Sequence, residues 1–185
     1  AWEVIEEKVK RLVEAQGYHY VGGKTQGFYG PYIWKDTKRT IYKVKLPYTV
    51  EDFPLDMMTG FICCSWMSHI SFGRIGTGGW GGDDGVLSCV KKRYRYRRMT
   101  SRFKIDFLKH EAQHVLDKRQ FPGISSTHME YRAKLVQLIY AKSMKSFWGF
   151  VSEASKEDIN NSHVVASYLL VRNLSQLMFN ESFIS

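Results

Sequence analysis

The segment HEAQH, residues 110–114, contains two histidines four positions apart, with a glutamate directly after the first. On an α-helix, residues at positions i and i+4 lie one above the other on the same face. His110 and His114 can therefore bind one Zn²⁺ together, at roughly 2.0–2.1 Å from each nitrogen. Glu111 can reach a water molecule in this site and accept its proton. The spacing predicts a hydrolytic zinc site, provided that a third ligand comes from another element.

Glu130 is the favoured third ligand. It lies early in the next predicted helix, after a Pro-Gly turn that can fold this helix back onto the first one. Two other candidates stay open: His128, at the start of the same helix, and Asp117, three residues after the motif. Without a metal, Glu130 would interact with the positive end of its helix, and Asp117 would face solvent or orient a ligand histidine. The motif as a whole would then be a pair of surface histidines on an amphipathic helix.

The motif HEAQH, followed by the glutamate of EYRAK, resembles the gluzincin clan of zinc metallopeptidases, in particular its small members, the minigluzincins. The resemblance covers roughly residues 60–170 and rests on the motif and one glutamate. It implies that Glu111 is the general base and that a peptide or protein is the substrate. The implied zinc ligands are His110, His114 and Glu130. The chain departs from the clan pattern at Lys134, where an acid often orients a ligand histidine.

The resemblance also implies further features of the fold and the site. The expected fold is α+β and zincin-like, with a small mixed sheet packed on an active-site helix and a glutamate helix, and a helical C-terminal part. His163 resembles the residue that hydrogen-bonds the oxyanion in such enzymes, with Tyr168 and Tyr131 as weaker candidates. The alternative for His163 is a helix-capping or surface residue. Small members of the clan include zymogens, so either end of the chain, the N-terminal helix or NESFIS, is a candidate to block the cleft.

The elements that would position these residues follow from hydrophobic spacing. The spacing predicts a helix over residues 2–15. It then predicts β-rich runs at 40–47, 61–72 and 85–97, interrupted by Pro47 and by residues 51–54, and helices at 103–121, 125–147 and roughly 156–179. This order favours one α+β domain over residues 1–185, with the N-terminal helix and the strands in 1–100 and the helical half, which holds the motif and Glu130, in 101–185.

A zincin cleft needs a strand along its edge, to which an extended substrate adds. Residues 81–90 are the candidate, with 61–72 as the rival and an ordinary interior strand as the alternative. The segment GTGGWG (76–81) spells G-x-G-x-x-G but does not open a helix, so the sequence excludes a dinucleotide site there and favours a flap or hairpin loop.

The segment KKRYRYRR (91–98) is the strongest basic feature of a chain with net charge +9. As a strand it would alternate arginines with tyrosines, a pattern that suits single-stranded nucleic acid. The alternative is a solvated strand face with tyrosines packed inward. A second functional hypothesis follows: a binding module without catalysis, which uses this strand to bind nucleic acid or an acidic ligand.

The three cysteines include the vicinal pair Cys63-Cys64. An odd count is a poor disulfide framework and favours a reducing compartment, so a cytoplasmic location is the weak expectation, with an exported mature chain as the alternative. In a buried strand, the two neighbouring thiols would face opposite sides. No apolar run approaches the roughly 20 residues of a membrane helix, so no membrane span is expected. The sequence leaves the oligomeric state open.

Overall fold

The structure, a computed structural model, describes residues 2–25, 28–94 and 100–183. The chain divides into two compact units: Ala1–Tyr42 with Pro54–Tyr96, and Lys43–Phe53 with Arg97–Ser185. The first unit holds most of the strands and the second most of the long helices, so the α+β class is confirmed. The interpretation as one domain over residues 1–185 stays a prediction.

The first unit begins with helix α1, Trp2–Ala15, as predicted. Its strands form three sheets in the orders β1-β4-β7, β2-β3 and β5-β6-β9-β8. The third sheet is mixed, because β6 runs parallel to β9 while β8 runs antiparallel to it. The strands are β1 His19–Val21, β2 Lys24–Thr25, β3 Phe28–Tyr29, β4 Tyr32–Trp34, β5 Asp36–Lys45, β6 Val50–Thr59, β7 Cys63–Cys64, β8 Gly79–Gly81 and β9 Leu87–Val90.

The core of the first unit lies between its sheets. Tyr32, Trp34, Met58 and Val90 form one buried cluster, against which partly buried apolar side chains pack. Residues 40–45 of the β-rich run predicted at 40–47 lie in β5, so this strand is confirmed. Along the run the buried side chains are Val44 and Leu46, and the exposed ones are Ile41, Lys43 and Lys45.

Strand β6 shows where the strand predictions were wrong. Residues 51–54, expected to interrupt the strands, lie inside β6. Proline and acidic residues suggested a turn, but they alternate with the buried Phe53, Leu55 and Met57. Pro54 is tolerated because the ladder with β9 begins only at Leu55.

Two of the predicted β-rich runs are strands only in part, and each also contains a short helix. In residues 61–72, only Cys63–Cys64 is a strand, and helix α2, Trp66–Ile70, follows with Ser65 as its N-cap. In residues 85–97, β9 ends at Val90 and helix α3, Lys91–Tyr94, follows directly. The predicted basic strand is therefore wrong over Lys91–Tyr94, and residues 95–98 lie outside the described part of the chain. Nucleic-acid binding by this segment stays a prediction.

The predicted substrate-binding strand is also wrong. Strand β9, Leu87–Val90, occupies the last four of residues 81–90, but it lies between β6 and β8. Both of its edges are hydrogen-bonded, so a substrate strand cannot add to it, and the interior-strand alternative is confirmed. GTGGWG contains β8, which pairs antiparallel with β9, as expected for a hairpin segment.

The second unit consists of helices and the tip of the β5–β6 hairpin. A π-helical turn, Lys104–Lys109, joins α4 to α5 and is not visible in the hydrophobic spacing. The predicted helix 125–147 is two helices, separated after Tyr140. The last helix starts at Ser162 and not near residue 156, because Asn161 caps it. The helices are α4 Ser101–Phe103, α5 His110–Gln120, α6 Ser126–Tyr140, α7 Lys145–Glu153 and α8 Ser162–Phe179.

Helix α6 is central to the second unit, because it packs against α5, α7 and α8. Phe150, Leu170 and Val171 form the buried cluster between α7 and α8. Arg119 on α5 binds Glu51 at the hairpin tip, with 2.6 Å between the charged atoms. Among the described helices, none has the length and apolar character needed to cross a membrane.

Candidate metal centre

Helix α5 buries its polar residues as well as its apolar ones. Eight consecutive residues, His110–Asp117, are buried. His110 is 7% exposed and His114 is 6% exposed, so the surface-histidine alternative is wrong. A polar helix that is buried on all sides must find partners for its polar groups.

Helix α6 brings Glu130 onto the two histidines. Glu130 Oε1 lies 3.2 Å from His114 Nε2, and Oε2 lies 3.3 Å from His110 Nε2. The two Nε2 atoms are 3.0 Å apart. Among the described residues, these three form a buried group that could hold a metal ion.

The spacing of these ligand atoms fits a tetrahedral ion. Ligands at roughly 2.0–2.1 Å around a tetrahedral centre lie about 3.3 Å from one another. The observed separations of 3.0, 3.2 and 3.3 Å agree with that value. Two imidazole nitrogens and one carboxylate are a common ligand set for zinc, and they leave a fourth position for water or substrate.

The other two candidates for the third ligand, His128 and Asp117, have other interaction partners. His128 is exposed, and its Nδ1 lies 2.7 Å from the hydroxyl of the N-cap Ser125. Asp117 is fully buried and pairs with Arg132 on α6, at 2.8 Å from Nε, which excludes the solvent-facing alternative. Gln113 also donates to Asp117, at 2.7 Å. Asp117 therefore joins α5 to α6 and is not a member of the metal-holding group.

Gln137 orients His110, and the sequence analysis missed it. The His110 Nδ1 lies 3.0 Å from Gln137 Oε1, and Gln137 also hydrogen-bonds Asp106. With the amide nitrogen directed at Asp106, the oxygen accepts the His110 Nδ1–H and leaves Nε2 free to bind a metal. Gln137 lies seven residues after Glu130, and this two-turn spacing is the signal that could have revealed it.

We expect Gln137→Ala to weaken metal binding about tenfold or more, as for other partners that hold a metal-binding histidine. The loss frees the His110 ring to rotate and to change tautomer. Competition with a metal indicator dye measures the affinity. Gln113→Ala is the matched control. This buried glutamine lies on α5 between the two histidines, but it donates its hydrogen bond to Asp117 and not to a metal-holding residue. Equal affinities for wild type and Gln137→Ala would contradict the assignment.

The buried charges favour the carboxylate form of Glu130. Burial alone would raise the pKa of Glu130, but hydrogen bonds from His110, His114 and His163 outweigh it and hold this pKa well below its ordinary range. Burial also opposes protonation of His110, yet the hydrogen bond that His110 donates to Glu130 and the charges of Glu111 and Glu130 raise the pKa of His110 above its ordinary value. Glu130 is therefore available as an anionic ligand at neutral pH.

His163 lies at the solvent-exposed side of the group. It occupies the first turn of α8, where the Asn161 side chain accepts a hydrogen bond from its backbone N–H. Its Nδ1 lies 3.0 Å from Glu130 Oε2, and 39% of its side chain is exposed. Its ring is parallel to that of His110 at 6.4 Å. His163 thus reaches the site without belonging to the metal-holding group.

The remaining predicted residues differ in their positions. Glu111 is 5% exposed and directly follows the first histidine on α5. The Tyr131 hydroxyl accepts a hydrogen bond from Asn173, and Tyr168 packs against Phe183 near the end of the chain. Among the described residues, neither tyrosine side chain forms a hydrogen bond, ion pair or ring contact with His110, His114 or Glu130.

Comparisons with protein-family models, with curated proteins and with solved structures found no match.

Proposed function

We propose that the protein is a zinc-dependent metallopeptidase of gluzincin type with a zincin-like fold. One observation carries this proposal: two imidazole nitrogens and a carboxylate lie 3.0–3.3 Å from one another in a buried site. The identity of the second residue of the motif supports it, since Glu111 is the residue type and spacing that a metal-dependent hydrolase needs as a base.

Each residue of the chain has one task in the proposed reaction. His110, His114 and Glu130 would hold the ion, which, when bound, supplies a Lewis acid that lowers the pKa of water to about 7 and polarises a carbonyl group. The Glu111 carboxylate accepts the proton of the attacking water and then donates it to the leaving nitrogen. Gln137 holds the His110 ring in the tautomer that leaves Nε2 free.

His163 is proposed to act on the substrate side. Its exposed imidazole donates a hydrogen bond to the oxygen of the scissile carbonyl group, where negative charge develops. The support is its location, 3.0 Å from the Glu130 carboxylate yet more exposed than any of the three proposed ligands.

The first test is the metal content of the purified chain. Wild type prepared without chelators and supplied with zinc should contain about one zinc per chain, because the described residues supply one complete ligand set. His114→Ala should reduce zinc to background. His128→Ala is the control, because this exposed histidine contacts the N-cap Ser125 and lies outside the metal-holding group, and its zinc content should equal that of wild type. A folded wild-type chain that binds no zinc would rule out the proposal.

The second half of the test is catalysis. A mixture of unstructured peptides incubated with the zinc-loaded chain should yield cleavage products by mass spectrometry. Addition of a zinc chelator should stop their formation, and excess zinc should restore it. Zinc binding without any cleavage, by the chain and by versions that lack either end, would leave a structural metal site and refute the peptidase assignment.

A further inference from the structure

The first unit contains a cavity that the proposed hydrolase site does not use. Its volume is about 760 Å³, within the roughly 300–1,000 Å³ that small-molecule sites occupy. Its walls include the apolar side chains of Phe61, Ile62 and Val90. Cys63 and Cys64 also line it, and both are partly exposed and not buried as expected. That their thiols face opposite sides of the strand stays a prediction.

Two cationic side chains, Lys92 and Arg93, line this cavity. Arg93 is held in position, since its Nη1 donates to the carbonyl oxygen of Gly73 at 3.1 Å and its guanidinium group lies against Gly76. Lys92 is exposed and has no hydrogen-bond or ion-pair partner within the described part of the chain. No aspartate or glutamate occurs among the described residues that line the cavity. The cavity therefore combines apolar walls with uncompensated positive charge, which attracts an anion.

Tyr32, which also lines the cavity, has a buried hydroxyl group. Tyr32 is 1% exposed, and its hydroxyl lies beside Ser65 without a well-formed hydrogen bond. Buried hydroxyl groups normally have a partner, so a ligand oxygen would satisfy this one. Three donors, on Tyr32, Lys92 and Arg93, thus line one apolar cavity.

We propose that this cavity binds a small amphipathic anion, namely an unbranched apolar chain with a carboxylate or phosphate head. The head binds Lys92 and Arg93, and the chain packs on the apolar walls beside the two thiols. Because Cys63 and Cys64 line the cavity, a bound ligand covers them. Cys89, which is fully buried in β9, is outside this cavity and serves as an internal reference.

Thiol protection tests the proposal on the full chain. Alkylation by iodoacetamide is followed at each cysteine by peptide mass spectrometry, with and without decanoate, decyl phosphate or the neutral decanol. Decanoate or decyl phosphate should slow alkylation of Cys63 and Cys64 about fivefold or more, because a pocket ligand covers the surface that it contacts. The compound that protects more strongly shows whether the site prefers a carboxylate or a phosphate head group. Decanol should protect weakly, and equal protection by decanol would overturn the role of charge.

Two charge reversals locate the site. Lys92→Glu should raise the decanoate concentration for half-protection about tenfold, since it replaces an attraction by a repulsion. Protection is compared within each variant, because burial raises the pKa of Cys64 and the charge of Lys92 partly opposes that rise. Lys142→Glu is the matched control, at an apolar groove of the second unit, and should not change protection. No protection in wild type, or equal loss in both variants, would overturn the proposal.

Discussion

Glu111→Gln should retain zinc at the wild-type level and lose about a thousandfold in peptide hydrolysis, within the 10²–10⁴ range of general acid–base catalysis. The amide has nearly the same size as the carboxylate but cannot accept the proton of water. The ligand set of His110, His114 and Glu130 is unchanged, so metal binding should persist. Initial rates of peptide cleavage at a zinc content of one per chain measure the effect.

The matched control for this variant is Glu157→Gln, the same chemical change at an exposed residue between α7 and α8. Its zinc content and its rate should equal those of wild type. Unchanged turnover in Glu111→Gln would refute the assignment of Glu111 as the base, while zinc binding would still support the metal site. Loss of zinc in Glu111→Gln would instead indicate that the glutamate supports the ligand set.

The second large effect concerns stability. Lys134 is 4% exposed in its side chain, and its Nζ lies 2.6 Å from Glu153 Oε2, which also accepts a hydrogen bond from Ser167 at 2.6 Å. These contacts join α6, α7 and α8. Removing one partner of a buried ion pair costs about 3–5 kcal/mol. Because 37% of the Glu153 side chain is exposed, water replaces part of the interaction, and we expect Glu153→Gln to cost about 2–3 kcal/mol.

Thermal unfolding measures this loss. For a chain of this length, about 2–3 kcal/mol corresponds to a Tm lower by roughly 4–12 °C. Lys134→Met is the matched variant and should cost less, because Glu153 keeps Ser167 and its access to water while no cation is left buried. A Glu153→Gln chain as stable as wild type would contradict a buried, charged Lys134.

The same pair gives a pH dependence with a defined sign. Burial opposes ionisation of Glu153, but Lys134 and Ser167 outweigh it and lower its pKa below the ordinary value of 4.5. A carboxyl group with a lowered folded-state pKa stabilises the protein above its unfolded-state pKa. The stability difference between wild type and Glu153→Gln should therefore be full near pH 7 and should shrink as the pH falls below about 4.5.

The positions of Lys134 and Gln137 explain a departure that the sequence alone left open. In the clan that the motif resembles, an acid four residues after the glutamate often orients a ligand histidine. Here Lys134 faces Glu153 instead, and Gln137, one turn further along α6, accepts the hydrogen bond from His110. A different residue orients the ligand histidine, because the rotation of α6 about its axis decides which of its turns lies opposite the His110 ring.

Strand and helix assignments had a similar limit. Periodicity predicted α1 and the helix that carries the motif, because these long segments have regular apolar spacing. Two short elements after Gly60 were assigned wrongly. In residues 61–72 and 91–94, apolar and aromatic residues suggested strands, but α2 and α3 formed. Segments of four or five residues depend on their neighbours more than on their own propensity.

The sequence by itself determined the local part of this site: two histidines one helical turn apart, the glutamate beside the first, and a carboxylate on the following helix. Helical geometry makes such spacing meaningful before any packing is known. Only the tertiary structure decided which carboxylate reaches the histidines, which side chain orients His110, and that Cys63 and Cys64 line a cavity together with Lys92 and Arg93. These relations depend on how separate elements pack, and packing is set by side-chain shape over long sequence distances.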